Sequence, residues 1–226
     1  MKPLLLKLSL ALALFLAADQ SRAQGTFQNL DFENGIFIPI ADDPFGRVQF
    51  GPAMPGWTGY LGTNQIDWIL HNNQFLSTAG IAIYGPDNPS ADFLHGHYFL
   101  ILQSGLDPVG GTGIVTPAIV QFGTIPSSAR SIRLLNGNPF TVGTFVFFNG
   151  TPVPLYQLVN NPNGSQMWGG DISAFSGQSG ELRLLGADYL DYIQFSDEPI
   201  PEPGVLGLFA LGSLLLAWRW RQNQKS

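Results

Sequence analysis

Between Gln24 and Glu198 every apolar run is short and is closed by Gly, Pro, Asn or Asp, and this punctuation limits the chain more than any other feature. A helix needs apolar residues at three- and four-residue spacing over several turns, and no convincing stretch of that kind is present there. Short runs bounded by turn formers are instead the signature of strands. With 27 glycines and 17 prolines among 226 residues, the chain can end each run in a turn, and the expectation is an all-β domain.

Taken in order, the expected strands are Leu30 to Phe32, Trp57 to Leu61, Gln65 to Leu70, Ile81 to Tyr84, Phe93 to Gln103 and Ile114 to Phe122. Asp42 to Gly46, Gly51 to Gly56 and Gly85 to Asp92 are expected to be loops, and Gly110 to Gly113 a flexible turn. Tyr98 to Leu102 is apolar on successive residues, which predicts burial on both faces. Ile132 and Leu134 alternate with Ser131 and Arg133, which places the charge on the water side of a strand. Phe140 to Phe148 and Thr151 to Val159 flank Asn149-Gly150, a strong hairpin signal because both residues tolerate positive φ. Pro152 and Pro154 put the second of these runs at a sheet edge. Met167 to Phe175, Glu181 to Leu185 and Tyr189 to Ser196 complete the set. Strands at this spacing indicate a β-sandwich of jelly-roll type spanning residues 24–198.

Both ends of the chain are different in kind. Lys2 and Lys7 flank the start of an apolar segment, Leu8 to Ala18, and Ser21-Arg22-Ala23 supplies small residues where a signal peptidase reads. Residues 1–23 therefore read as a secretory signal peptide cut after Ala23, leaving Gln24 first. At the other end Pro201-Glu202-Pro203 is followed by an uncharged apolar run from Gly204 to Trp218 and then by Arg219, Trp220, Arg221 and Lys225. Leu206, Leu208, Phe209, Leu211, Leu214, Leu215 and Leu216 fall on every side of a helix, so no polar face remains for water. In lipid these residues contribute on the order of 2 to 4 kcal/mol, partly offset by Gly207, Gly212 and Ser213. A membrane helix over about residues 204–220 is expected, with Trp218 and Trp220 at the interface and the arginines on the inner side.

This layout resembles the PEP-CTERM sorting signal recognised by exosortases, and residues 199–226 carry the resemblance. It implies that Pro201, Glu202 and Pro203 form the recognised tripeptide, with Arg219 and Arg221 as the basic end. It implies an exosortase-type enzyme as partner, a membrane-anchored intermediate, and delivery to the cell surface or the extracellular space, in association with exopolysaccharide. An ordinary single-pass anchor behind a proline-rich linker is the alternative.

The region between the ends has four arginines, no lysine and fourteen acidic residues, a net charge of −10. Such a surface has no use for phosphate backbones, so nucleic acid is excluded as a partner. Cysteine is absent, and stability must come from packing.

A second resemblance spans this region. Asn29-Leu30-Asp31-Phe32-Glu33-Asn34-Gly35, Pro55-Gly56-Trp57, Asp171 to Gln178 and Tyr189-Leu190-Asp191-Tyr192-Ile193-Gln194-Phe195 are similar to pieces of galactose-binding-like β-sandwich modules. The resemblance implies that the first and last strands lie together and that a structural calcium sits near their ends, with Glu33 and Asp191 at the matching positions. Calcium takes about six to eight oxygens, so Asp31 and backbone carbonyls would have to complete the shell. The plainer reading is solvent-facing acids at strand ends.

Trp57, Trp68 and Trp168 are candidates for a sugar-stacking platform, Trp57 and Trp168 above all, although tryptophans in sandwiches more often belong to the core. His95 and His97 would share a face of one strand without an evident third ligand. Gly110-Gly111-Thr112-Gly113 is followed by no lysine, and Ser104 lacks the glycine of a nucleophile elbow two residues earlier. No pair of carboxylates is singled out for glycoside hydrolysis. The expectation is a noncatalytic exported protein without an assigned cofactor. A carbohydrate-binding module and a secreted glycoside hydrolase are the alternatives.

Overall fold

Leu182 and Leu184 are buried while Glu181, Arg183 and Leu185 between and beside them are partly exposed, and this two-residue period, repeated from strand to strand, builds the molecule. The computed structural model describes residues 25–86, 95–108, 113–137 and 143–200. In chain order the elements are β1 (Arg47–Gln49), a single helical turn α1 (Phe50–Ala53), β2 (Thr58–Leu61), β3 (Asn64–Ile66), β4 (Trp68–His71), β5 (Gly80–Tyr84), β6 (Phe99–Gln103), β7 (Gly105–Leu106) and β8 (Ile114–Val115). They continue with β9 (Pro117–Thr124), β10 (Ser131–Asn136), β11 (Thr144–Phe148), β12 (Thr151–Val153), β13 (Tyr156–Asn160), β14 (Gln166–Asp171), a 3-10 turn (Ser173–Phe175), β15 (Ser179–Gly186) and β16 (Asp188–Ser196).

These strands form a β-sandwich. One sheet has the order β1-β4-β5-β6-β16-β10-β14-β13 and the other β12-β11-β15-β9-β2-β3, with β7 and β8 pairing separately. Among the described strands the pairings are antiparallel except β4 with β5, and an isolated bridge from Thr78 to Leu106 is also parallel. Ile69, Ile81, Ile83, Leu100 and Leu102 of the first sheet join Leu61, Ile119, Val146, Phe148, Leu182 and Leu184 of the second in one apolar core. Burying such side chains, at about 1.5–3 kcal/mol each, is what holds a chain without disulfides together.

Phe99, Leu100, Ile101 and Leu102 are all buried, as their unbroken apolarity predicts. Leu100 and Leu102 face the sandwich core, while Phe99 and Ile101 pack with Leu70 and Ala82 in a second cluster on the outer face of the larger sheet. The Asn149-Gly150 hairpin is also present: Phe148 pairs with Thr151, and φ is +49° and +75° at the two turn residues.

Several expected strands are shorter, or are divided between the sheets. Gln65 to Leu70 breaks at Asp67, so that β3 lies in one sheet and β4 in the other. Thr151 to Val159 divides at Pro154 in the same way, giving β12 at the edge of the smaller sheet and β13 at the edge of the larger. A proline has no N–H for a ladder, and a strand end is where its loss is least felt. Leu30 to Phe32 is a turn, not a strand, with φ of +49° at Asn29 and +60° at Phe32. Residues 95–97 form a bend where a continuation of β6 is expected, and Gly96 has φ of +74°. The run from Ile114 to Phe122 is interrupted at Thr116, and Met167 to Phe175 ends as a strand at Asp171. The expected loop from Gly51 to Gly56 starts inside α1, and β1 lies between it and the expected loop from Asp42 to Gly46.

Candidate functional site

The segment from Asn29 to Asn34 is anchored against the closing strand. Ile193 N–H donates to the Leu30 carbonyl (2.9 Å), and Asn34 N–H donates to Asn29 Oδ1 (2.9 Å). Gln121, nearly fully buried on β9, accepts from Gln28 N–H and donates back to the Gln28 carbonyl (2.9 Å). Opening segment and closing strand thus lie side by side.

The candidate acids sit at this junction, each holding backbone. Glu33 Oε1 accepts N–H bonds from His97 (2.7 Å) and Tyr98 (2.8 Å). Asp191 Oδ2 accepts from His95 N–H (2.7 Å) and Oδ1 from Tyr192 N–H (2.6 Å). A bend of four residues is therefore fastened at both ends by carboxylates. Gly96 is required within it, because a Cβ there would lie 2.3 Å from Glu33 Oε1 and its φ is positive. Asp191 has no exposed surface, and its carboxyl is pushed up to about 8, by burial first, with Glu33 and Asp31 adding to the rise.

Calcium does not fit this arrangement. The bend presents N–H donors, which suit anions, and three of the four carboxylate oxygens of Glu33 and Asp191 already accept them. The fourth, Glu33 Oε2, lies 3.4 Å from His97 Nδ1. Among the described residues no group of three His, Cys, Asp or Glu side chains is placed to hold a metal ion. His95 and His97 do not share a strand face either. His95 stacks on Tyr192 with ring centroids 4.1 Å apart, and His97 is exposed beside Glu33.

The tryptophans singled out for sugar stacking are placed differently from that expectation. Trp57 is 4% exposed in the main core, its Nε1–H donating to the Asn29 carbonyl (3.0 Å), so its ring is closed to a ligand. Trp168 faces inward on β14, half-buried against the same core, with Nε1–H bonded to Gln166 Oε1 (3.0 Å). Strand direction decides Trp168, which lies opposite the core residue Leu134, whereas Trp57 enters the core just before β2 begins.

Aromatic rings do collect elsewhere. On the outer face of the larger sheet Tyr84 stacks on Phe99 (5.5 Å), and Phe99 meets Tyr189 (6.0 Å) across β5, β6 and β16. Trp68 and Phe75 meet edge to face (5.9 Å), and the Arg47 guanidinium lies 5.1 Å from the Trp68 ring centroid. Tyr189 is 36% exposed, and Tyr84, Trp68 and Phe75 are half-buried. The alternation of β5 with the outward register of Tyr189 opposite Ile101 produces this row. The alternation around Tyr84 is visible in the sequence, but its apposition with Tyr189 depends on the pairing of strands far apart in the chain.

Ala23, Gln24, Pro201, Glu202, Pro203, Arg219 and Arg221, and the expected membrane helix over 204–220, lie outside the described residues. The described chain ends just before the tripeptide, on the outer face of the larger sheet. There Ser131 Oγ–H donates to the Glu198 carbonyl (2.7 Å) and Arg133 Nη2 lies 2.8 Å from Glu198 Oε2.

Comparison with known proteins bears on this end of the chain. Residues 199–222 match the PEP-CTERM protein-sorting motif. No curated protein and no solved structure matches the chain. The chain is thus an exported protein, bound through the membrane for the cell surface, that carries at residues 199–222 a PEP-CTERM sorting motif and with it the mark of an exosortase substrate.

Proposed function

We propose that this is a noncatalytic protein of the cell surface or extracellular matrix, retained as a membrane-anchored intermediate until an exosortase acts on its tail and then held in association with exopolysaccharide. The match at residues 199–222 carries the reading. The acidic middle region suits a protein that works outside the cell, where like charge keeps it soluble. Its noncatalytic character is supported by the use made of Asp188 and Asp191, the aspartates buried among the described residues. Asp191 holds His95 and Tyr192 N–H, and Asp188 accepts from Asn136 Nδ2 and Gly143 N–H (3.0 Å), so both are committed to fastening loops.

The test is fractionation of the producing cells after replacement of Pro201, Glu202 and Pro203 by alanine. The unaltered protein is expected at the surface and the triple variant in the inner membrane. Equal surface delivery of both would refute the reading.

A second reading, sugar binding, is favoured by the row Tyr84, Phe99 and Tyr189. Tyr84 and Tyr189 leave part of their rings exposed on either side of the buried Phe99, and partly exposed rings on a sheet face suit the apolar faces of pyranose rings. Replacing Tyr84 and Tyr189 by alanine is expected to weaken retention on the cells' own exopolysaccharide by about tenfold, for about 1.4 kcal/mol of lost contact. Unchanged retention with the fold intact would remove this reading and leave the first standing.

A further inference from the structure

The last described residues do not trail away from the sandwich. Ser196, at the end of β16, accepts a hydrogen bond at its carbonyl from Arg130 N–H (2.7 Å), and its Oγ accepts from Glu198 N–H (3.1 Å). Ser131, which has no exposed surface, donates its Oγ–H to the Glu198 carbonyl (2.7 Å). Arg133 completes the contact on two sides: Nη2 lies 2.8 Å from Glu198 Oε2, and Nε–H donates to Ser131 Oγ (3.2 Å). Two residues on, the Ile200 side chain is half-buried beside Leu158 of β13. The seat exists because β14 has glycine at position 169. A Cβ there would lie 2.7 Å from Ile200 Cδ1 and 2.8 Å from Leu158 Cδ1.

The sorting motif begins at residue 199, so its first two residues are part of this docked strap. The tripeptide Pro201-Glu202-Pro203 follows the docked strap directly in the chain. An enzyme that cuts or transfers a peptide takes several residues around the reacting bond in extended form, using their backbone groups for its own hydrogen bonds. The Glu198 carbonyl cannot serve Ser131 and such an enzyme at once.

We propose that Ser131, Arg133 and Gly169 form a latch that governs presentation of the sorting motif: residues 197–200 must peel from β10 and β14 before the motif can be engaged. Arg133 and Ser131 are positioning residues in this scheme. They touch the strap, not the reacting atoms. The inference rests on the reading of residues 199–222 as the sorting signal. The fraction of molecules with the strap released sets the rate at which full-length chain is consumed. Removing one charged or hydrogen-bonding contact raises that fraction about fivefold.

Pulse-chase labelling of the full chain in the producing cells tests the latch, with conversion of full-length to shortened chain as the readout. Arg133→Ala and Gly169→Ala are each expected to speed conversion about fivefold, and Arg133→Lys, which keeps the charge, to run near the unaltered rate. Gly169→Ala adds a methyl group whose two tightest contacts are the far ends of flexible side chains, with the Ile132 carbonyl at 3.3 Å, so it remains informative should Arg133→Ala fold poorly. Conversion of both variants at the unaltered rate or slower, with melting temperatures preserved, would overturn the latch. Glu202→Ala separates the two layers of the argument. If it abolishes conversion while the latch variants change nothing, only the latch falls; if it is converted like the unaltered chain, the sorting reading falls and takes the latch with it.

Discussion

Replacing Asp191 by asparagine should abolish a steep loss of stability with rising pH. Burial pushes the Asp191 carboxyl from 3.8 to about 8, with Glu33 and Asp31 contributing. A carboxyl raised in the folded state favours folding while it is protonated. That contribution is fully present below about pH 3.8 and is lost as pH rises through about 8. At about 1.36 kcal/mol per pH unit, the whole window amounts to on the order of 6 kcal/mol. Asparagine removes the titration but presents an amide NH2, which cannot accept, toward one of the two backbone N–H groups that the carboxyl oxygens take, leaving that donor unpaired at about 1–3 kcal/mol. The Asp191→Asn chain is therefore expected to be less stable than the unaltered one near pH 4, by about 2 kcal/mol, and more stable near pH 8, by on the order of 4 kcal/mol. Urea unfolding of chains ending at Ile200, which keep every described strand, followed by tryptophan fluorescence at pH 4, 6 and 8, measures both differences. Asp188, pushed up to about 6 chiefly by burial, adds its own slope at the acid end in both chains, so the interval from pH 6 to 8 isolates Asp191. If Asp191→Asn keeps the unaltered slope across that interval, the account of this junction is wrong.

Other outcomes follow from the same geometry. Adding calcium or EDTA near pH 7 is expected to leave the melting temperature unchanged, because the bend at residues 95–98 offers N–H groups to the carboxylates; a rise of several degrees with calcium would mean that this bend turns its carbonyls inward. Trp57→Phe should destabilise the fold by about 1–3 kcal/mol in urea, through the loss of the bond to the Asn29 carbonyl within a packed core, and should leave polysaccharide retention untouched. Gly59→Ala should be strongly destabilising by the same assay, since its Cβ would lie 2.4 Å from the buried Phe50 ring, and a loss under about 1 kcal/mol would show that this contact is looser than drawn.

Those parts of the fold that depend on neighbours in the chain were legible. The alternation of Glu181 to Leu185, the double-sided burial of Phe99 to Leu102 and the Asn149-Gly150 hairpin all follow from side-chain period or turn chemistry. What depends on distant partners was not. Nothing local to Gln65–Leu70 or Thr151–Val159 says that the chain changes sheets in the middle of each run, because either half makes an acceptable strand alone. Leu30 to Phe32 looks like a strand by composition, yet it turns so that Leu30 can accept from Ile193, more than 150 residues away in the chain. At the candidate site Glu33 and Asp191, expected as calcium ligands, both meet one bend. Their partners are backbone N–H groups of a bend, and no side-chain pattern announces a backbone donor. Aromatic content alone does not reveal which sheet face a ring occupies, so the sequence leaves Trp57 and Trp168 open between core and sugar platform, whereas the apposition of Tyr84, Phe99 and Tyr189 needs the register of β5, β6 and β16. The tail is the opposite case. A motif that must be read by an enzyme is written in contiguous residues, so it was readable without any structure.

The most direct measurement is intact-mass spectrometry of the protein recovered from the cell surface. A chain that begins at Gln24 and has lost the apolar run from Gly204 to Trp218 is the predicted result. Recovery of the surface protein with that run and Arg219, Arg221 and Lys225 all in place would contradict handling by an exosortase, and with it the route proposed for this protein.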